Sequence, residues 1–122
     1  MAANTGQIAP DDDWLGKREE KILEPALAII DPHHHLWMRG GYAYLMPELA
    51  RDLASGHNIV STVFAECHAM YRAEGPEEMK PVGEVEFVNG IAAMAASGLY
   101  GKTRVAAGIK GYAELRNGAG VK

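Results

Sequence analysis

Three consecutive histidines, His33, His34 and His35, follow the apolar run Ala28-Ile29-Ile30 and the pair Asp31-Pro32. In an extended chain side chains alternate between faces, so His33 and His35 point one way and His34 the other. Two imidazoles at the end of a strand are half of a divalent-metal site. Neutral imidazole is the commonest metal ligand, and the i, i+2 spacing brings both nitrogens within reach of one ion. An isolated His-His-His is as readily a surface cluster that binds metal adventitiously. The preceding Ile29-Ile30-Asp31-Pro32 favours a strand emptying into a pocket.

For the pair to do chemistry, neighbouring elements must bring further groups to the same end. Residues 1–10 are small and polar and predict a disordered leader. Asp11-Asp12-Asp13 supplies an N-cap, and Trp14, Leu15, Arg18, Ile22 and Leu23 follow at helical spacing until Pro25, which predicts a helix over 11–25. Residues 26–35 are the first strand, a nearly continuous apolar run of the kind buried on both faces of a parallel sheet. Pro32 marks that strand's end or a bulge, since it cannot donate a ladder hydrogen bond. A loop over 38–46 with Gly40-Gly41 leads to a helix opened by Pro47 and Glu48, with Leu49, Ala50, Leu53 and Ala54 as its apolar face and Gly56 as its terminator. Residues 59–66, rich in β-branched side chains, are the second strand. A long loop over 67–83 precedes a helix from about Glu84, and 104–109 form the third strand. This alternation predicts an α/β fold with right-handed parallel crossovers.

Three groups then fall at the strand ends: His33 and His35; Glu66, Cys67 and His68; Lys110 and Tyr112. Asp31 either orients a histidine from behind or caps the strand end. Trp37 is a wall of a substrate pocket or a core aromatic. Glu66 is a substrate or supporting residue, or else a strand-end acid paired with Arg72. His68 and Arg72 lie on the loop above the expected site, where an arginine would suit a substrate carboxylate, although a surface role is the commoner outcome for such loop residues. Cys67 reads as a small buried hydrophobe, because no activating neighbour marks it as a thiolate.

The segment Ile30-Asp31-Pro32-His33-His34-His35-Leu36-Trp37 resembles the opening of the amidohydrolase superfamily, in particular its lactonase-like branch of predicted metal-dependent hydrolases with the TIM-barrel fold. That family carries Asp-x-His-x-His at the end of the first barrel strand, which maps here onto Asp31, His33 and His35. The similarity runs from about Trp14 through Ser55-Gly56-His57-Asn58, Glu66-Cys67, Pro81-Val82-Gly83-Glu84 and Ala107-Gly108-Ile109-Lys110-Gly111-Tyr112. The resemblance implies a (β/α)8 barrel and a divalent metal, zinc above all, held in part by His33 and His35, although some relatives work without one. It implies hydrolysis of a lactone, ester or amide by an activated water, or decarboxylation on the same scaffold. The family's catalytic residues from later strands would lie beyond Lys122.

A closed (β/α)8 barrel takes on the order of 200 residues or more, and the chain has 122. It is therefore expected to hold two strand-helix units and a third strand, over 26–122, of a larger enzyme, and to be inactive alone. A complete small α/β domain or a non-catalytic remnant is the alternative. With 48% hydrophobic residues, 23% charged residues and a net charge of -4, the chain lacks the basic surface that nucleic-acid binding requires. No apolar run approaches the roughly 20 residues needed to span a bilayer. One cysteine excludes an internal disulfide and fits a reducing, cytoplasmic setting. The expected partner is a small-molecule substrate; no pattern encodes an oligomeric state.

Overall fold

A computed structural model describes residues 9–121. In chain order its elements are α1 (Asp12–Leu15), β1 (Ala28–His34), β2 (Trp37–Arg39), β3 (Tyr42–Tyr44), α2 (Met46–Leu53), β4 (Asn58–Ala65), α3 (Val82–Ala96) and β5 (Arg104–Lys110). Strands β1, β4 and β5 form a parallel sheet with β4 in the centre, and β2 and β3 pair antiparallel. The fold is mixed α/β, as the alternation of elements predicts, and the sheet formed by the described residues is open. Residues 1–8 of the expected leader lie outside the description; Ala9 and Pro10 are exposed and without regular structure. Among the described residues no helix is long and apolar enough to cross a membrane.

The helix expected over 11–25 is a single turn. Asp11 does cap it, its Oδ1 accepting from the Trp14 N–H at 2.9 Å. Gly16 ends it, and Trp14 and Leu15 are 64% and 56% exposed. A short helix that buries no apolar face has little to hold it together. The loop expected over 38–46 is instead largely a hairpin. Gly40 and Gly41 both adopt positive φ, +58° and +82°, which is the conformation a two-residue hairpin turn requires.

Helix α2 starts as its sequence suggests, with the Glu48 carboxylate accepting from the Leu45 N–H at 2.9 Å. Its Met46 and Leu49 join Leu36, Phe64, Val88, Ile91 and Val105 in one apolar core, so α2 and α3 cover the same face of the sheet. The other face is open: Ile30 is 62% exposed. Strand β1 is thus buried on one face, not on both. Pro32 does mark a bulge, since the pairing of β1 with β4 slips between Asp31 and His34.

The core holds a polar knot. His34 and Thr62 are buried, and the Thr62 hydroxyl lies 2.9 Å from His34 Nε2 while accepting from the Ala106 N–H at 2.9 Å. Ala106 has a φ of +50°, a left-handed conformation that costs an alanine about 1–2 kcal/mol, and its N–H is turned to that hydroxyl. Burial holds the His34 pKa below its usual value, with the charge of Asp31 opposing. The unfolded chain therefore binds a proton at His34 before the folded one does. Stability tied to this residue is present above about pH 6.5 and is lost as pH falls through the lowered folded pKa. Urea denaturation between pH 7.5 and 5.5 should show a falling midpoint. His34→Gln should flatten that slope; a slope unchanged by the substitution would remove His34 as its source.

Candidate functional site

The bulge in β1 puts His33 and His35 on the open side of the sheet and turns His34 into the core, as alternation requires. The Nε2 atoms of His33 and His35 stand 3.1 Å apart, with the rings edge-to-face. His35 Nδ1 lies 2.8 Å from the carbonyl oxygen of Ala65, at the end of the neighbouring strand β4. A carbonyl can only accept, so Nδ1 carries the proton and, in the neutral ring, Nε2 presents its lone pair toward His33. That tautomer is the one a metal-ligating histidine adopts when its other nitrogen is tied back. Asp31 does not touch either imidazole: its Oδ1 accepts from the His33 main-chain N–H at 3.0 Å, which fixes the backbone where Pro32 can donate nothing.

The alternation continues past the histidines. Trp37 stacks on His35 with centroids 5.6 Å apart and planes 23° from parallel. The Arg39 guanidinium lies over the Trp37 ring at 5.2 Å and donates through Nη2 to the carbonyl of Cys67. His33, His35, Trp37 and Arg39 thus form a ladder of side chains at every second residue, each in contact with the next. Trp37 is half-buried, with its ring against His35. Arg39 was not anticipated, yet the Gly40-Gly41 hairpin signal and the i, i+2 rule together would have placed it beside Trp37.

The end of β4 is organised from an unexpected direction. Glu84, in the first turn of α3, is 1% exposed. Its Oε1 accepts from the main-chain N–H groups of Cys67 and Ala69, each at 2.9 Å. Between and beyond them His68 and Met70 have φ of +63° and +54°, conformations costing about 1–2 kcal/mol each for residues with a Cβ. Gly83 allows the helix to come this close, because a Cβ there would lie 2.6 Å from Arg72 N and Met70 O. Glu84 Oε2, like the Tyr71 hydroxyl and Trp37 Nε1, is buried without a hydrogen-bond partner among the described residues. A sequence reading sees Glu84 only as an acid at a helix start, where a solvated role is the ordinary one.

The remaining candidates separate. His68 is exposed and lies against Tyr71 and Tyr112, with centroids 5.3 and 5.6 Å away. Burial, and then the charges of Glu84 and Glu66, push the Tyr71 phenol up. Glu66 is half-buried and does not pair with Arg72. Arg72 is held by Glu86 on the surface, through Nε at 3.1 Å and through Nη2, so its fork is occupied. Lys110 is exposed, with its carbonyl accepting from the Glu66 N–H at 2.9 Å. Among the described residues no three His, Cys, Asp or Glu side chains converge as a metal cluster. A groove of about 830 Å³ lies elsewhere, between α3 and β5, lined in part by Ala92, Ala95, Val105 and Ile109.

Comparison with family models, with curated proteins and with solved structures finds no match to this chain. Its chemistry is therefore read from the geometry.

Cys67 is half-buried at the margin of the core, with polar neighbours. Its Sγ lies 3.6 Å from the Leu36 carbonyl and 3.5 Å from Glu84 Oε1. Burial, reinforced by the Glu84 charge, pushes the thiol up to about 11. Because only the thiolate reacts, iodoacetamide at pH 7.5 should label Cys67 roughly a hundredfold more slowly than free cysteine, whose pKa is about 8.5. Labelling at the rate of the free thiol would show that the Glu84 contact is not maintained.

Proposed function

We propose that His33 and His35 are two ligands of a divalent metal, zinc being well suited, in a hydrolase of the amidohydrolase type acting on a lactone, ester or amide. The observation that carries this reading is the facing pair of Nε2 atoms at 3.1 Å, with the far nitrogen of His35 tied to a main-chain carbonyl. Zn–N bonds of about 2.0–2.1 Å at tetrahedral angles separate two nitrogens by roughly 3.3 Å, so the donors already stand near the spacing an ion requires. A catalytic zinc usually takes three protein ligands, and the reading therefore calls for at least one further donor beyond this pair.

When bound, such an ion supplies a Lewis acid for a carbonyl and lowers the pKa of water toward neutrality. The chain's own residues supply orientation. The Ala65 carbonyl holds the His35 tautomer, Asp31 holds the main chain at His33, and Trp37, itself backed by Arg39, holds the plane of the His35 ring. His68, with Tyr71 and Tyr112, stands at the ends of the neighbouring strands and suits contacts to a substrate.

The finer fold belongs to the same proposal. Parallel strands in the order β1-β4-β5, helices on one face and an unpaired edge on β5 support a portion of a (β/α)8 barrel, whose interior would be the face that carries Ile30. A cytoplasmic setting goes with this reading, supported by a single cysteine that is free.

Calorimetric titration with zinc, and with cobalt as a spectroscopic probe, should give one ion per chain. His33→Ala and His35→Ala should each weaken binding by about tenfold or more, while His68→Ala should leave it unchanged. Binding that survives both histidine substitutions would sink the metal assignment. In a protein that also supplies the further donor, acid release from a panel of simple lactones and esters, set against carbon dioxide release from carboxylated analogues, separates the hydrolase from the decarboxylase.

A further inference from the structure

The buried carboxylate of Glu84 touches neither histidine, yet a continuous set of contacts leads from it to His35. Its Oε1 holds the N–H of Cys67. The carbonyl of that same residue is the acceptor for Arg39. The Arg39 guanidinium lies on one ring of the ladder, Trp37, and Trp37 stacks on His35. A second branch is shorter. The loop that Glu84 grips leaves β4 immediately after Ala65, whose carbonyl sets the His35 tautomer. Both routes end on the same imidazole.

Two features show that this grip is more than generic packing. A fully buried carboxylate with one oxygen lacking a partner is costly, since the desolvation of an unpaired polar group is about 1–3 kcal/mol and more for a charged one. The loop it holds contains two non-glycine residues at positive φ, His68 and Met70, and such conformations persist only where the surroundings over-determine them. A buried acid whose oxygen holds a strained loop beside a candidate site has the geometry of a positioning device.

We propose that Glu84 is a positioning residue for His35, acting through Cys67 and Arg39 to hold the Trp37 ring against the imidazole. The proposal rests on the reading of His33 and His35 as the functional pair. Removing the carboxylate frees the N–H groups of Cys67 and Ala69, lets the Cys67 carbonyl move away from Arg39, and leaves Trp37 and His35 free to rotate together. His35 then samples the other tautomer, in which Nε2 is protonated and its lone pair no longer faces His33.

The test reads the His35 ring directly, in the metal-free protein, by long-range nitrogen–proton correlation spectra that distinguish the two tautomers. Wild type should show Nδ1–H. Glu84→Ala should show a mixture and bind zinc about tenfold more weakly. Glu84→Gln keeps an oxygen for the two N–H groups and should restore both properties. Arg39→Met breaks the relay downstream and leaves the Glu84 clamp in place, so it decides the matter if Glu84→Ala does not fold. It should shift the His35 spectrum in the same direction, and the Glu84→Ala/Arg39→Met double variant should bind zinc no more weakly than the weaker single one. A lowered melting temperature with an unchanged His35 tautomer in Arg39→Met, or in Glu84→Ala, would overturn the proposal and leave Glu84 a purely structural residue. Absence of zinc binding in wild type would sink the metal reading instead, while the spectra would still decide the relay.

Discussion

Strand β4 is hydrogen-bonded along both edges, to β1 on one side and β5 on the other, and the side chains that matter are bonded to it or to the loop that leaves it. Its Thr62 hydroxyl meets His34 and takes the Ala106 N–H, joining all three strands at one atom. Its last carbonyl, at Ala65, holds His35. One residue further than Glu66, Cys67 ties Arg39 through its carbonyl and Glu84 through its N–H. A central parallel strand is well suited to this work, since its backbone is fixed from both sides and its C-terminal end is where neighbouring strand ends also arrive.

The direction of the histidines follows from the same constraint. A bulge at Pro32 shifts the register of β1 so that His34 meets Phe64 in the core while His33 and His35 remain on the open side. The bulge costs ladder hydrogen bonds, and Asp31 replaces one of the losses by accepting the His33 N–H. Histidine pairing, core packing and strand register are thus one arrangement. A change of register by a single residue would exchange the buried ring for the two that face each other.

Charge in the site is handled by burial and short-range bonding. Arg39, the cation of the histidine ladder, is fixed by a carbonyl and an aromatic face and makes no carboxylate pair among the described residues. Arg72, on the loop that follows β4, is neutralised at the surface by Glu86. Such an exposed pair contributes little to stability. Its consequence is that the anion-binding role assigned to Arg72 would require breaking two hydrogen bonds first.

Much of this was legible in the residues themselves. Period-two alternation placed His33 and His35 together and sent His34 inward. Runs of β-branched and apolar residues located β1, β4 and β5 to within two residues, and the order of elements gave the parallel sheet. Local patterns succeed here because strands and caps are decided by neighbours a few residues apart. The one-turn α1 escaped for the converse reason: Trp14 and Leu15 belonged to a helically spaced apolar set, but both stay more than half exposed. Glu84 escaped because its partners lie far along the chain, at Cys67 and Ala69, as did the bond of Arg39 to the Cys67 carbonyl, and no short-range pattern encodes a contact made by folding. The sequence by itself determined which residue types stand at the strand ends and which way the histidines alternate. Only the tertiary structure decided which backbone carbonyl sets a tautomer, which arginine remains beside the site, and which acid is buried to hold the loop, because each depends on elements brought together by the packing of α3 and β4.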